Sequence, residues 1–379
     1  MKKSRNTEYI VSFDHVVLVC YLLLCLIGVV MILDIASMQS SLVNFYSHIL
    51  YLAISLLSVI LVLYFFNLEK LRPLNPYLIY LSILLLILVL IKGPDVKGAT
   101  RWLKIGPFRF QPSFLARMAL IFYFAGFLDK KYDSIRIANV KKFCAEFAPL
   151  IVYAVFIFVL IIMEKHLSTL LIGGATLLGM LFYAGMRKRL VLLVIFIGIL
   201  GGSLILIKGD DFRADRLKTY QVYNLFMPNR PEPTKSAEEY QVHESLTALT
   251  SGYIFGTGMG RGRAKHYYLP EARTDYIFTV VGEEFGFLGA IFVLGLHALL
   301  FFRAMKIAEE QENRYYKFLC AGLALNIFLN ALVNTGVSMS IIPATGNTLP
   351  FISSGGTALL VDSISIGVIL NISAKRRRA

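Results

Sequence analysis

The chain has 379 residues, 57% of them hydrophobic, a mean hydropathy of +0.66 and a formal charge of +14. So many uninterrupted apolar runs exclude an ordinary soluble domain, and continuous rather than alternating apolarity excludes a β-barrel. The basic balance would suggest nucleic acid in a soluble protein. Here it sits largely in the tails MKKSRN and KRRRA and in DKKYDSIRIANVKK (129–142), where it suits anchoring to anionic lipid on the cytoplasmic face, so no nucleic-acid partner is expected.

The apolar runs predict an all-α polytopic membrane protein with ten transmembrane helices, near 15–37, 43–66, 76–91, 112–128, 147–163, 168–185, 189–207, 274–302, 316–338 and 349–372. They form a single transmembrane domain over 1–379. The first run is a full span rather than a cleaved signal. Cys20, Cys25 and Cys320 fall in spans and Cys144 in a cytoplasmic loop, so no structural disulfide is expected. With both termini cytoplasmic, the inner segments hold 21 Lys and Arg and the outer segments 16. Fifteen of those 16 lie in two outer loops, 92–111 and 208–273. The second is long enough to escape the positive-inside rule; the first is not, and its charge needs a cause.

That first loop, with the helix start that follows, contains KGATRWLKIGPFRFQPS (97–113). It holds Lys92, Lys97, Arg101, Lys104 and Arg109, which suits an anionic ligand at the outer leaflet. Arg101, Trp102, Lys104, Gln111 and Ser113 are candidate contacts to a pyrophosphate or sugar. Pro112 fits the first turn of a helix, which puts Ser113 and Arg117 one turn apart on one face. Arg117 lies about 8 Å into the span at 1.5 Å per residue. An intramembrane arginine is a functional candidate by default, with snorkelling as the plainer alternative.

Further along, His166 and His243 lack a spacing that suggests zinc. Asp210, Asp211 and Asp215 read as a solvated loop start rather than an ion site. A proline-broken stretch then leads into a surface helix at 237–251. Gly256, Gly258, Gly260 and Gly262 alternate in GTGMGRG, but no strand precedes them, which disfavours a nucleotide loop. The segment is read as a flexible turn or, with Arg261, Arg263, Lys265 and Arg273, as a pyrophosphate site; Arg213 and Arg216 belong to the same outer loop.

Asp275 opens the eighth run, where a carboxylate suits the helix dipole. Glu283 follows on roughly the same face and about 12 Å deeper, with Glu284 pointing elsewhere. Two consecutive acids within a span call for a polar interior or a cation. Asn326, Asn330 and Asn334 form a stripe at i, i+4, i+8, read as interhelical hydrogen bonding. Pro343, Gly346, Pro350, Gly355 and Gly356 then break the ninth-to-tenth connection, and such backbone is tolerated only where it is buried in protein or lines a cavity. Glu283, Asn330, Asn334 and Ser353 are assigned to this polar interior.

KGATRWLKIGPFRFQPS, FRADRL with the later YQ at 240–241, GTGMGRG, LPEARTDYIFTVVGEEFGFLGA and PATGNTLPFISSGGT occur in this order. Together with the ten-span layout they resemble the SEDS proteins (shape, elongation, division and sporulation), which include FtsW, RodA and SpoVE, and the PATGNTLPF form is closer to FtsW. The resemblance covers nearly the whole chain. It implies a peptidoglycan glycosyltransferase in the cytoplasmic membrane of a bacterium, using lipid II and working with a class b penicillin-binding protein transpeptidase and other division or elongation proteins. It also carries the family's essential outer-face aspartate onto Asp275. Two departures stand out. The family usually has QPSE followed by Lys three residues later, where this chain has Phe114 and Arg117, and it favours Tyr where this chain has Ser354.

Polymerising a lipid-linked sugar needs a base for the attacking hydroxyl and positive charge for the departing pyrophosphate. Asp275 is the expected base. Arg101, Lys104, Arg109, Arg117, Arg213, Arg216, Arg261 and Arg263 are the expected charge. No cofactor is required on this reading, though a divalent cation, Mg or Mn, remains an option; no protein metal ligands are expected. Sequence physics alone leaves a flippase for the same lipid nearly as good a reading, because buried polar groups and broken helices suit transporters equally well, and a non-catalytic division scaffold is the third. The residues leave division, elongation and sporulation roles open.

Overall fold

A computed structural model describes residues 8–38, 42–96, 99–106, 108–207, 218–224, 236–269 and 271–378. The chain is built from helices α1 (His15–Met38), α2 (Val43–Phe65), α3 (Asn75–Lys92), α4 (Pro112–Lys130), α5 (Ala148–Met163), α6 (Leu167–Tyr183), α7 (Lys188–Ile207), α8 (Ala237–Ser251), α9 (Ile277–Glu309), α10 (Arg314–Ser338) and α11 (Gly356–Ser373). Among the described residues, seven helical stretches are long and apolar enough to cross a membrane: α1, α2, Leu68–Lys92 including α3, α4, α9, α10 and α11. The short helix Val140–Glu146 and α5 make an eighth if taken together across a 75° bend. This is an all-α polytopic membrane fold.

Local chemistry sets the helix ends. Pro112 occupies the first turn of α4, where its missing N–H is no loss. Ser236 Oγ caps α8 by accepting from Glu239 N, and Asn313 Oδ1 caps α10 by accepting from Tyr315 N. The last helix begins at Gly356 rather than near 349: Phe351 sits at φ 67°, outside the right-handed helical region, and Ser354 N donates to Arg273 O instead of to a helical carbonyl. The helices divide by burial. In α4 and α11 78% of the apolar window is buried and in α10 72%, against 28% in α2 and in the Leu68–Lys92 stretch. Polar side chains on α4, α10 and α11 therefore meet protein instead of lipid. Both tails lie at one end of the bundle: Glu8–Ser12 pairs antiparallel with Lys375–Arg378, and Arg303 Nε bonds Asp14 Oδ2 at 2.7 Å. The opposite, upper end is where α4, α9 and α11 begin.

At the upper end α9 is broken. Gly286 adopts φ 66°, ψ −165°, a conformation essentially confined to glycine. The break orphans the carbonyls of Glu283 and Glu284 and the amides of Phe287 and Leu288. Residues 253–258 fill all four places. Thr257 N and Gly258 N donate to Glu283 O and Glu284 O, and Phe287 N and Leu288 N donate to Tyr253 O and Ile254 O. Helix α8 runs down beside the start of α9, with Ser245 Oγ 2.6 Å from Thr279 Oγ1, and turns back at a tip about 15 Å below the upper end of α9. The helix expected at 237–251 is present with those bounds; its face with Glu239, Val242, Ser245 and Ala248 is buried, and it forms one arm of a hairpin against α9. Tyr253, Ile254 and Phe255 at the tip are exposed beside exposed Phe287 and Leu288, an apolar patch.

Gly286→Ala should destabilise the protein by more than the about 1–3 kcal/mol of its backbone conformation alone, since the new Cβ would lie 2.4 Å from Gly256 N and from Ile254 O. Thermal unfolding in detergent reads this as a lowered midpoint; an unchanged midpoint would show that the splice can open without loss.

Candidate functional site

Asp275 lies in the turn that leads into α9, and its backbone is fixed from two directions. Asn334 Nδ2 on α10 donates to Asp275 O at 2.9 Å and to Asn347 O at 2.6 Å. Asn347 Nδ2 in turn donates to Asn330 O at 3.1 Å. From the segment before α11, Ser353 Oγ donates to Thr274 O at 2.7 Å while accepting from Leu349 N, and Ser354 N donates to Arg273 O. The asparagine stripe and Ser353 thus hold the 273–275 backbone, an anchoring that an interhelical role only half describes.

The Asp275 carboxylate and the Arg101 guanidinium both border Gly346. A Cβ built on Gly346 would lie 3.7 Å from Asp275 Oδ2 and 3.6 Å from Arg101 Nη1, and the φ of 71° there favours glycine. Arg101 is held in turn by the connection between α5 and α6. Its Nε donates to Glu164 O at 3.3 Å and its Nη2 to Lys165 O, where Lys165 sits at φ 59°. One guanidinium therefore joins the 92–111 loop, the α5–α6 turn and the Asp275 pocket.

The wall behind Arg101 is polar and dry. His166 is buried, with Nδ1 3.0 Å from Ser113 Oγ, 3.1 Å from Gln111 Nε2 and 2.9 Å from Thr169 Oγ1. An amide nitrogen only donates, so Nδ1 is the acceptor for Gln111. Gln111 and Ser113 are thus turned to His166. Glu164 is fully buried, and neither carboxyl oxygen meets the geometric criteria for a hydrogen bond. Burial pushes its carboxyl up from the ordinary 4.5 to about 8, against the opposing pull of Arg101 and Ser113. The folded state therefore holds this proton more tightly than the unfolded chain does. The contribution to stability is fully present below about pH 4.5 and is lost as the pH rises through about 8. Glu164→Gln should flatten the fall in thermal midpoint between pH 5 and 8; an unaltered slope would place the titration elsewhere.

The remaining cations differ in their freedom. Lys104 and Arg109 are exposed and stand opposite each other on the antiparallel hairpin Leu103–Ile105/Phe108–Phe110. Like charges directly opposite are unfavourable unless an anion bridges them. Trp102 beside them is partly buried, and Arg261 and Arg263 are exposed. Arg213 and Arg216, with Asp210, Asp211 and Asp215, lie outside the described residues.

Several expectations change. Lys265 is no pyrophosphate contact: it is fully buried, with Nζ 2.6 Å from Asp34 Oδ2 and 2.5 Å from Glu284 Oε1. Glu283 is buried, as a polar interior requires, and accepts from Arg263 N at 2.7 Å and Ala264 N at 3.1 Å, anchoring the returning arm of the hairpin. The alternating glycines are neither a phosphate cradle nor a loose turn, since their segment completes α9. Arg117 neither snorkels nor reaches the pocket. It is buried, with Nη1 3.3 Å from Asn330 Oδ1 and its guanidinium 5.3 Å over the Phe114 ring. Sequence reasoning missed Glu164, His166, Asp34 and Asp362, although a lone acid in an apolar run, as at 34 and 362, is itself a signal.

Among the described residues no three His, Cys, Asp or Glu side chains converge on one point. The space beside Asp275 at Gly346 is shared with a guanidinium, so these residues do not build a dedicated Mg or Mn site, and no step is derived through one.

Fold and site together define a polytopic helical membrane protein with a carboxylate–guanidinium pocket at one end of its bundle. The chain belongs to the FtsW/RodA/SpoVE family of cell cycle proteins, whose profile matches residues 14–378. It is 33% identical over 98% of its length to a Trichlorobacter lovleyi protein named "probable peptidoglycan glycosyltransferase FtsW", covering 95% of that protein. A protein of the same name from Escherichia coli is 35% identical over 78% of this chain and 69% of its own. The fold matches a chain of a peptidoglycan synthase complex with a TM-score of 0.77 at 24% identity, covering 96% of this chain and 98% of that one. It also matches the rod shape determining protein RodA of Thermus thermophilus, with a TM-score of 0.69 at 23% identity and coverage of 96% and 97%.

Proposed function

We propose that this chain is a peptidoglycan glycosyltransferase that polymerises lipid II, a disaccharide-pentapeptide on undecaprenyl pyrophosphate, at the outer face of the cytoplasmic membrane during cell division. The observation that carries the reading is that Asp275 and Arg101 both border Gly346, with the 273–275 backbone held by Asn334, Ser353 and Ser354. A sugar hydroxyl of one substrate attacks the anomeric carbon of another, and the bond from that carbon to the pyrophosphate breaks. Asp275 accepts the hydroxyl proton. Arg101 faces the charge that develops on the leaving pyrophosphate. Lys104, Arg109, Arg261 and Arg263, with Arg213 and Arg216 of the same outer loop, draw the anionic substrate to this end of the bundle. Trp102 lies beside the sugar, and Gln111 and Ser113 keep the wall behind Arg101 in shape through His166.

Ten crossings with both termini cytoplasmic agree with this reading. The pairing of the two tails supports an even number of crossings. The seven long spans are completed to ten by the bent pair ending in α5, by the 17-residue α6 and by the 20-residue α7. Loops 92–111 and 208–273 then face outward, which gives the basic residues of the first their reason: they meet a lipid-linked anion. The partner is a single-span class b penicillin-binding protein transpeptidase, with other division proteins around the pair.

The test uses the protein co-purified with its cognate transpeptidase, fluorescent lipid II and a gel that resolves glycan length. A ladder is expected, insensitive to a β-lactam that blocks crosslinking. Absence of a ladder, together with transfer of the labelled lipid across proteoliposome membranes, would replace the polymerase by a flippase. Absence of both would leave a scaffold.

A further inference from the structure

Beneath the Asp275 pocket lies a second polar region, enclosed by α4, α10 and α11. Arg117 on α4 is 2% exposed, and one guanidinium nitrogen, Nη2, bonds no protein atom. Its own helix offers it an aromatic face and no negative charge, since the residue one turn back, 5.3 Å beneath the guanidinium, is Phe114. Asp362 on α11 is 1% exposed, and neither of its carboxylate oxygens has a hydrogen-bond partner. The two helices descend side by side from a bond between Gln111 N and Thr357 Oγ1 at 3.1 Å. Arg117 is six residues below that bond and Asp362 five, hence at about the same depth of 8–9 Å. The two stand at matching depth on packed helices and carry opposite charges, with no direct bond between them. Asn330 Nδ2, on the amide whose oxygen takes the Arg117 bond, also lacks a partner.

A buried arginine without counter-charge is strongly unfavourable, so the carboxylate from α11 bears on where Arg117 can rest. That position is transmitted. Arg117 holds the Asn330 side chain, Asn330 O accepts from Asn347 Nδ2, and Asn347 O accepts from Asn334 Nδ2, which also binds Asp275 O. The path from α11 to the reacting end is thus one charge pairing and a continuous run of hydrogen bonds.

We propose that Asp362 is a positioning residue for the transfer reaction, supplying from α11 the carboxylate that α4 lacks at Phe114 and so holding Arg117, Asn330 and the Asp275 segment in register. The proposal rests on the polymerase reading above, and the wild-type arm of its test separates the two: a wild type that makes no glycan ladder defeats that reading, whereas a wild-type ladder with an equally strong Asp362→Asn ladder defeats this proposal alone.

The experiment measures initial polymerisation rates over a range of lipid II concentrations, with thermal midpoint and co-elution with the transpeptidase recorded for each variant. Asp362→Asn should lower kcat by about 10²-fold, as for a small misplacement of a reacting group, with KM little changed. The double variant Phe114→Glu/Asp362→Asn returns a carboxylate to the space under the guanidinium and should recover most of the lost rate. A merely structural role would move midpoint and rate together and would be relieved by any neutral pairing. Full activity in Asp362→Asn, or a well-folded Phe114→Glu/Asp362→Asn as inactive as Asp362→Asn, would overturn the proposal. Should Asp362→Asn fail to assemble, Arg117→Gln/Asp362→Asn, which removes both charges, decides: assembled but slow supports the proposal, and assembled at the wild-type rate overturns it.

Discussion

Asp275→Asn is expected to lower the rate of glycan polymerisation by about 10²–10⁴-fold, the span that a positioned general base contributes, while thermal midpoint and transpeptidase binding stay near those of the wild type. The separation follows from how the residue is held. Asn334 and Ser353 bond the carbonyls of Asp275 and Thr274, and Ser354 N bonds that of Arg273. These bonds survive a change confined to the side chain. Asparagine keeps the shape and polarity of the carboxylate but loses the capacity to accept a proton and the charge opposite Arg101. The measurement is the initial rate on fluorescent lipid II at saturating substrate. A mutant within a few-fold of wild type would exclude Asp275 as the base, and one that lost partner binding as well would show that its carboxylate is structural.

Lys265→Met should be the most damaging substitution for stability. It leaves Asp34 and Glu284 as buried carboxylates facing an apolar side chain, and breaking a buried ion pair from one side costs about 3–5 kcal/mol. Lys265 joins α1, the returning arm of the hairpin and the first turns of α9 at distances of 2.5 and 2.6 Å. Its loss should therefore loosen the splice at Gly286, which is made on the same turns of α9. The expected readout is a lowered unfolding midpoint together with faster protease cleavage near 253–263, a segment whose backbone is tied to α9 while the hairpin is docked. Polymerisation should fall as a consequence, because the chain runs from this arm directly into Asp275. Unfolding indistinguishable from wild type would mean that the carboxylates find other partners at no loss.

The sequence by itself determined the all-α membrane fold, most helix bounds to within a few residues, and the concentration of chemistry in the 92–117 and 252–278 stretches. These are local properties. An apolar run long enough to cross lipid can satisfy its backbone only as a helix, Pro112 starts a helix wherever it stands, and an asparagine every fourth residue on α10 must share one face. The place of Asp275, at a helix start among basic residues, is local in the same way, whereas its role as base rests on the family resemblance. Only the tertiary structure decided which buried polar group meets which. Lys265 and Asp34 are 231 residues apart, and nothing local to either distinguishes a buried ion pair from a pyrophosphate contact. Arg117 looked like a ligand to the substrate until its depth between α4, α10 and α11 turned it to Asn330 and Phe114. GTGMGRG looked like a loop of its own until the break at Gly286 left four backbone groups that Tyr253, Ile254, Thr257 and Gly258 satisfy. The cost of an unpaired polar group in a low-dielectric interior is large but not directional along the chain. It is met by whichever element packs nearest, and packing is a property of the assembled bundle.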